Sequence, residues 1–215
     1  MNAEQLWNER RLAALHHLYD PNPAPLIVPK RDGLYAEAVR IIGGDSPATV
    51  LEFGVAGGRS IIELTRLFQS PDTQFYGFDS FLGLPEAWQF MAKGHFSTDG
   101  EVPLLKDERV MFVKGWFQET VQPALRSMRE RLARTPVFVH FDADLYGSTL
   151  FLLTSLWPEC ASYHFVMDDF MVDDITALND FAAAYPVEIE FLARREGGLP
   201  HAILGYMRRV AFRAG

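Results

Sequence analysis

The sequence predicts an α/β fold, a largely parallel sheet with helices on both faces. Short apolar runs of about four to eight residues alternate along the 215-residue chain with longer stretches of helical period, the pattern of βαβ units. The last two apolar runs are separated only by Arg194–Pro200, which holds Gly197 and Gly198 and is too short for a crossover, so the sheet finishes with an antiparallel pair. A composition of 48% hydrophobic and 22% charged residues suits one domain with a substantial core.

Each element follows from its local pattern. A helix is predicted over Ala3–Tyr19, with Leu6, Leu15 and Leu18 as its core candidates, and it is open to three roles: lid, homodimer contact or surface helix. The proline-rich Pro21–Pro29 joins it to a second helix, Gly33–Ile42, closed by Gly43 and Gly44 as a C-cap. Strands are predicted at Thr49–Phe53, Gln74–Asp79, Arg109–Lys114, Val137–Asp142, Tyr163–Met167, Val187–Ala193 and His201–Arg208. Between them, Ser60–Phe68, Glu119–Ala133 (Val121, Leu125, Met128, Leu132), Thr149–Trp157 and Ile175–Tyr185 carry helical spacing. Leu84–Pro103 has no clean period and is long for a structureless connection, which marks it as a functional loop. Its Trp88, Phe90, Met91 and Phe96 suit either an apolar lid or a satellite cluster packed on the sheet edge. No linker divides the chain, so residues 1–215 form a single domain, with 1–45 as an N-terminal helical segment and 84–103 as the lid.

The net charge of −8 argues against nucleic acid and anionic membranes as partners. Its distribution says more. From Val137 to Asp180 there are eight acids and no Lys or Arg, while the remaining residues carry 20 of each sign. One cysteine, Cys160, excludes an internal disulfide and a cysteine-cluster zinc site and fits a reducing, cytoplasmic setting. The N-terminal segment has no apolar region of signal-peptide type, and no run approaches a membrane span.

The segment VLEFGVAGGRS is a strand, a glycine turn and a helix start, the place where an α/β sheet meets a nucleotide-like ligand. Ala56 stands where the second glycine of a dinucleotide fingerprint would be. Glu52 beside the turn repels a pyrophosphate and suits an ammonium group. Asp79 ends the next strand, where an acid accepts hydrogen bonds from ribose hydroxyls. Together these favour a nucleoside ligand without phosphates, which S-adenosylmethionine satisfies.

In VHFDADLYGST the alternation of His140, Asp142 and Asp144 puts them on one face of a strand's continuation. A central parallel strand cannot easily hold such charges in mid-run, so they lie at its carboxyl end, with Asp168 and Asp169 at the end of the next strand. Four carboxylates with no local base to pair them point to a hard divalent ion, Mg²⁺ first, with Ca²⁺ or Mn²⁺ as alternatives. Asp173 and Asp174 read as solvated turn and N-cap residues, and His140 is left unassigned between a base and the commoner core histidine.

GFDSFLGLPEAW (Gly77–Trp88), VKGWFQET (Val113–Thr120), HFDADLYGST (His140–Thr149) and MDDF (Met167–Phe170) resemble, in matching order, the class I S-adenosylmethionine-dependent methyltransferases related to macrocin and mycinamicin O-methyltransferases. The resemblance implies a Rossmann-like sheet of seven strands in the order 3-2-1-4-5-7-6 with the last reversed. It implies that Glu52, Gly54 and Gly58 line the methionine end of the cofactor with Ser60 beside them, that Asp79 holds the ribose, and that Ser80, Phe81 and Lys114, Gly115 and Trp116 border the adenine. It further implies Mg²⁺ on Asp142, Asp168 and Asp169, Asp144 as catalytic base, and a small-molecule hydroxyl acceptor on a sugar or natural product. The rival readings are a metal-independent N-methyltransferase, a Rossmann dehydrogenase and a non-catalytic binding scaffold.

Overall fold

The structure, a computed structural model, describes residues 2–19 and 25–211. In chain order the elements are α1 (Ala3–Leu18), β1 (Leu26–Val28), α2 (Asp32–Ile42), β2 (Thr49–Phe53), α3 (Arg59–Leu67), β3 (Gln74–Asp79), β4 (Val110–Lys114), α4 (Phe117–Ser127), α5 (Arg129–Arg134), β5 (Val137–Phe141), α6 (Tyr146–Leu156), β6 (Ser162–Met167), a π-helical turn Phe170–Asp174, α7 (Ile175–Ala184), β7 (Val187–Arg195) and β8 (Ile203–Arg209). The sheet runs β1-β7-β8-β6-β5-β2-β3-β4. Seven of these strands reproduce the expected order, with β8 antiparallel to both β6 and β7.

The eighth strand is a correction. Leu26–Val28, inside the proline-rich connector, pairs parallel with the outer strand β7. Three residues among prolines give no readable period, and Leu26 and Ile27 are half exposed, so the run lacks the buried alternation of a longer strand. The predicted helix Glu119–Ala133 is likewise two helices, interrupted at Met128, whose backbone leaves the helical region. Strand β4 starts one residue late because Arg109 is engaged elsewhere: its guanidinium binds the carbonyls of Thr65, Phe68 and Ser70 at the end of α3 and is held by Asp107.

Alternation along the strands sorts the core into two layers. Leu51, Phe53, Val139, Phe141, Phe165 and Ile203 pack under α1 and α4–α7. Val50, Phe75, Phe138, Val166 and Leu204 pack under α2 and α3. The central strands β2 and β5 are buried along their whole length. A capping box between Asn2 and Gln5 starts α1. The helix packs on α7 through Ala14 and Leu15, while Leu6 is exposed rather than core. Among the described residues no helix is long and apolar enough to cross a membrane.

The loop between β3 and β4 folds on itself. The Leu84 amide donates to the His95 carbonyl and the Leu84 carbonyl accepts from the Gly94 amide, Trp88 and Met91 form an isolated bridge, and Leu84, Trp88 and Leu145 make a small cluster of their own. Trp88 is buried with its indole N–H donating to Asp173 at 2.7 Å. Phe90 points outward at 90% exposure and covers nothing.

Candidate active site

The carboxyl ends of β2 and β5 meet at Gly54. Its amide donates to the Phe78 carbonyl at 3.0 Å, and a side chain there would place Cβ 1.8 Å from the Asp142 carbonyl oxygen, so only glycine allows this approach. Asp79 stitches the turn together: one carboxylate oxygen accepts from the amides of Val55 and Ala56 at 2.8 and 2.7 Å, and the other from Phe81 at 2.7 Å. The second oxygen keeps a free lone pair for a ligand hydroxyl.

A cavity of about 260 Å³ opens over these strand ends. Its wall runs from Gly54–Ala56 past Asp79, Ser80 and Gly115–Gln118 to Asp142–Asp144, with Phe96 of the long loop at its rim. Ala56 and Asp144 both sit at positive φ, 44° and 60°, so two non-glycine residues of the wall are held in a conformation their side chains disfavour.

Of the residues the sequence singled out, Gly54, Asp79, Ser80, Gly115, Trp116, Asp142 and Asp144 line this cavity, and Glu52, Gly58, Ser60, Phe81, Lys114, Asp168 and Asp169 do not. Glu52 lies beneath the turn, outside that wall. It points to the α2/α3 face, has no solvent exposure, and accepts from the Ser60 hydroxyl at 2.5 Å. Burial pushes its carboxyl well above the usual range, so it sits beneath the turn rather than presenting a charge to a ligand. Gly58 opens α3 in the left-handed region, against Pro103. Phe81 is buried at φ 62°, and Lys114 reaches the Gly100 carbonyl at 2.6 Å, tying down the end of the long loop.

The carboxylates converge as expected. Ligand atoms of Asp142, Asp144 and Asp169 lie within 4.8 Å of one another, and so do those of His140, Asp142 and Asp168, with Asp142 common to both groups. Burial first, and then mutual repulsion, raises the pKa of all three in the first group, Asp144 to about 9 and Asp169 to about 6. Asp144 thus holds a proton and shares it with Asp169. His140 is fully buried, bonded through Nε2 to the Tyr35 hydroxyl at 3.0 Å, and burial pulls its pKa down to about 3, which makes it a neutral core residue.

The acidic window does not lack bases in space. Arg31, just before α2, hydrogen-bonds Asp168 and lies 4.0 Å from Asp142. Arg11 faces Asp173, Arg10 binds Asp180 and Arg129 binds Glu159. Asp173 and Asp174 are buried rather than solvated, Asp173 under the Trp88 indole and Asp174 accepting from Thr149 at 2.7 Å. Arg31 is the site residue that the sequence did not reveal, because it lies more than a hundred positions from its partners and no motif marks it. These four arginines take up Asp168, Asp173, Asp180 and Glu159, and Asp142, Asp144 and Asp169 remain as a close group of carboxyls.

The family model of macrocin O-methyltransferase (TylF) matches residues 102–191. The chain is 30% identical over 174 residues to an O-methyltransferase of Streptomyces olivaceus acting on a rhamnosyl-tetracenomycin, covering 68% of this chain and 62% of that protein. It is 24% identical over 187 residues to demethyldecarbamoylnovobiocin O-methyltransferase of Streptomyces niveus, covering 74% and 67%. The chain therefore spans about two thirds of the length of these curated relatives. In three dimensions it resembles the O-methyltransferase NovP (TM-score 0.58, 23% identity, 84% of this chain and 80% of that one). It also resembles TomG of Streptomyces achromogenes, solved with S-adenosylmethionine (TM-score 0.52, 16% identity, 98% and 100%).

Proposed function

We propose that this chain, similar to the macrocin O-methyltransferase family over residues 102–191 and to curated O-methyltransferases, is an S-adenosylmethionine-dependent O-methyltransferase, acting on a hydroxyl of a sugar-bearing or related natural product with the help of a divalent cation. The observation that carries the reading is one continuous cavity joining the Gly54–Ala56 turn to the Asp142–Asp144 end of β5. A nucleoside cofactor bound along the first part presents its methyl group toward the second, where the carboxylates stand.

Methyl transfer from a sulfonium to an oxygen disperses charge, so the protein's task is alignment and exclusion of water. The glycine turn and Asp79 supply a rigid floor with a free acceptor for the ribose. Trp116 and Phe117 offer aromatic surface for the base. The folded loop around Trp88 closes the acceptor side. Asp144, at the inner end of the wall, is placed to accept the hydroxyl proton once its neighbours are neutralised.

The Asp142, Asp144 and Asp169 group suits a hard cation: it is all oxygen and close-packed, and burial and then the neighbouring carboxylates raise its carboxyls in pKa. Asp142, Asp168 and Asp169 would hold the ion, with Mg²⁺ the natural choice. Bound there, it supplies positive charge that lowers the acceptor's pKa and that of the carboxylates around it.

The test is transfer of a labelled methyl group from S-adenosylmethionine to a panel of glycosylated hydroxyl and amine acceptors, with and without EDTA, beside calorimetry with S-adenosylhomocysteine and NAD. The expected result is S-adenosylhomocysteine binding, no NAD binding, and EDTA-sensitive O-methylation. Tight NAD binding or transfer to amines alone overturns the activity; EDTA-insensitive O-methylation overturns the role of the metal.

A further inference from the structure

Arg31 reaches the carboxylate crevice from outside the acidic window. Alternation points Asp142 and Asp168 toward the α2/α3 face, and Arg31 stands at the start of α2 on that face. Its guanidinium donates to Asp168 Oδ2, lies 4.0 Å from Asp142 Oδ2 and sits 6.0 Å from the Tyr35 ring. Tyr35 is itself fixed by its bond to His140. The side chain is only 24% exposed, so this is a partly buried ion pair and not a solvated surface contact.

We propose that Arg31 is a resident counter-ion which a divalent cation must displace from Asp168, so that it sets the metal affinity of the crevice. The inference rests on the cation reading given above. Two cations cannot share Asp168 and Asp142 without strong repulsion at such separation. The charge-assisted bond to Asp168 must break before that carboxylate can turn to an ion. Gly33 and Leu34, in the first turn of α2, donate to the carbonyls of Lys30 and Arg31, so their amides report on the turn that the Arg31–Asp168 pair anchors.

The experiment is Mn²⁺ titration followed by electron paramagnetic resonance of the free ion, on the wild-type chain and on Arg31→Gln, at one pH and salt concentration. Removing the competing charge should tighten Mn²⁺ binding about 10- to 100-fold. Equal or weaker binding in Arg31→Gln overturns the proposal while leaving the metal site standing. No Mn²⁺ binding by either protein overturns the metal reading and this proposal together. A second measurement uses the wild-type chain alone: saturating Mn²⁺ should speed amide exchange at Gly33 and Leu34, and unchanged exchange with Mn²⁺ bound overturns displacement.

Discussion

Asp144 carries the largest conflict between stability and function at the level of single residues. It occupies a left-handed backbone position, and burial first, then the neighbouring Asp142, Asp169 and Asp174, raises its pKa to about 9. Its carboxyl is stabilising to the fold only while protonated. That contribution is complete below the ordinary aspartate value near 3.8, and it is lost progressively as pH rises to about 9. Asp144→Asn keeps the shape, tolerates the positive φ and needs no proton. The metal-free variant should therefore melt higher than the parent, by an amount that grows from pH 4 to pH 9, as thermal scans across that range will show. The same substitution should lower methyl-transfer turnover by about 10²- to 10⁴-fold with S-adenosylhomocysteine affinity unchanged, because it removes a proton acceptor and not a cofactor contact. At this scale the sequence was informative where chemistry is local. Gly54, Asp79 and Asp142 are legible from a turn and two strand ends. The burial of Glu52 is not legible from its nearness to the turn, because the strand's alternation decides which face its carboxylate takes. Arg31 was invisible because its partners are defined only by folding.

The long connection from β3 to β4 shows how elements set the site. It is latched at two points, by Trp88 on Asp173 and by Lys114 on the Gly100 carbonyl. Asp173 also faces Arg11 of α1, so the N-terminal helix, the π-helical turn after β6 and the loop share one buried polar contact. Trp88→Phe retains the apolar packing on Leu84 and Leu145 but leaves Asp173 without its indole donor. We expect a stability loss of about 1–3 kcal/mol, faster proteolytic cleavage within 84–103, and a raised KM for the acceptor with cofactor affinity little changed. A variant with parental cleavage rate and KM would show that the loop is only a packed satellite. Helix and strand positions were readable from period, and their departures have local causes. Strand β1 is too short and too proline-flanked to show a pattern, and the α4–α5 break at Met128 leaves hydrophobic spacing intact across it.

For the whole molecule, the antiparallel end of the sheet is legible from the short loop Arg194–Pro200, whereas the strand order is legible only through the resemblance of the motifs to a methyltransferase family. The charge excess was legible in position but not in meaning. Folding brings Arg10, Arg11, Arg31 and Arg129 onto four of the eight acids of the Val137–Asp180 window, and of the other four, Asp142, Asp144 and Asp169 gather in one group at the strand ends. The central claim is that the glycine turn and this group form one site for a nucleoside cofactor and a hard cation. Its most direct test is a crystal structure with S-adenosylhomocysteine and Mn²⁺, read by anomalous scattering. The account predicts the adenosine along Asp79–Trp116, the thioether directed at Asp144, and one anomalous peak between Asp142 and Asp169. An empty cavity, or a cofactor bound with no peak at those carboxylates, would contradict it.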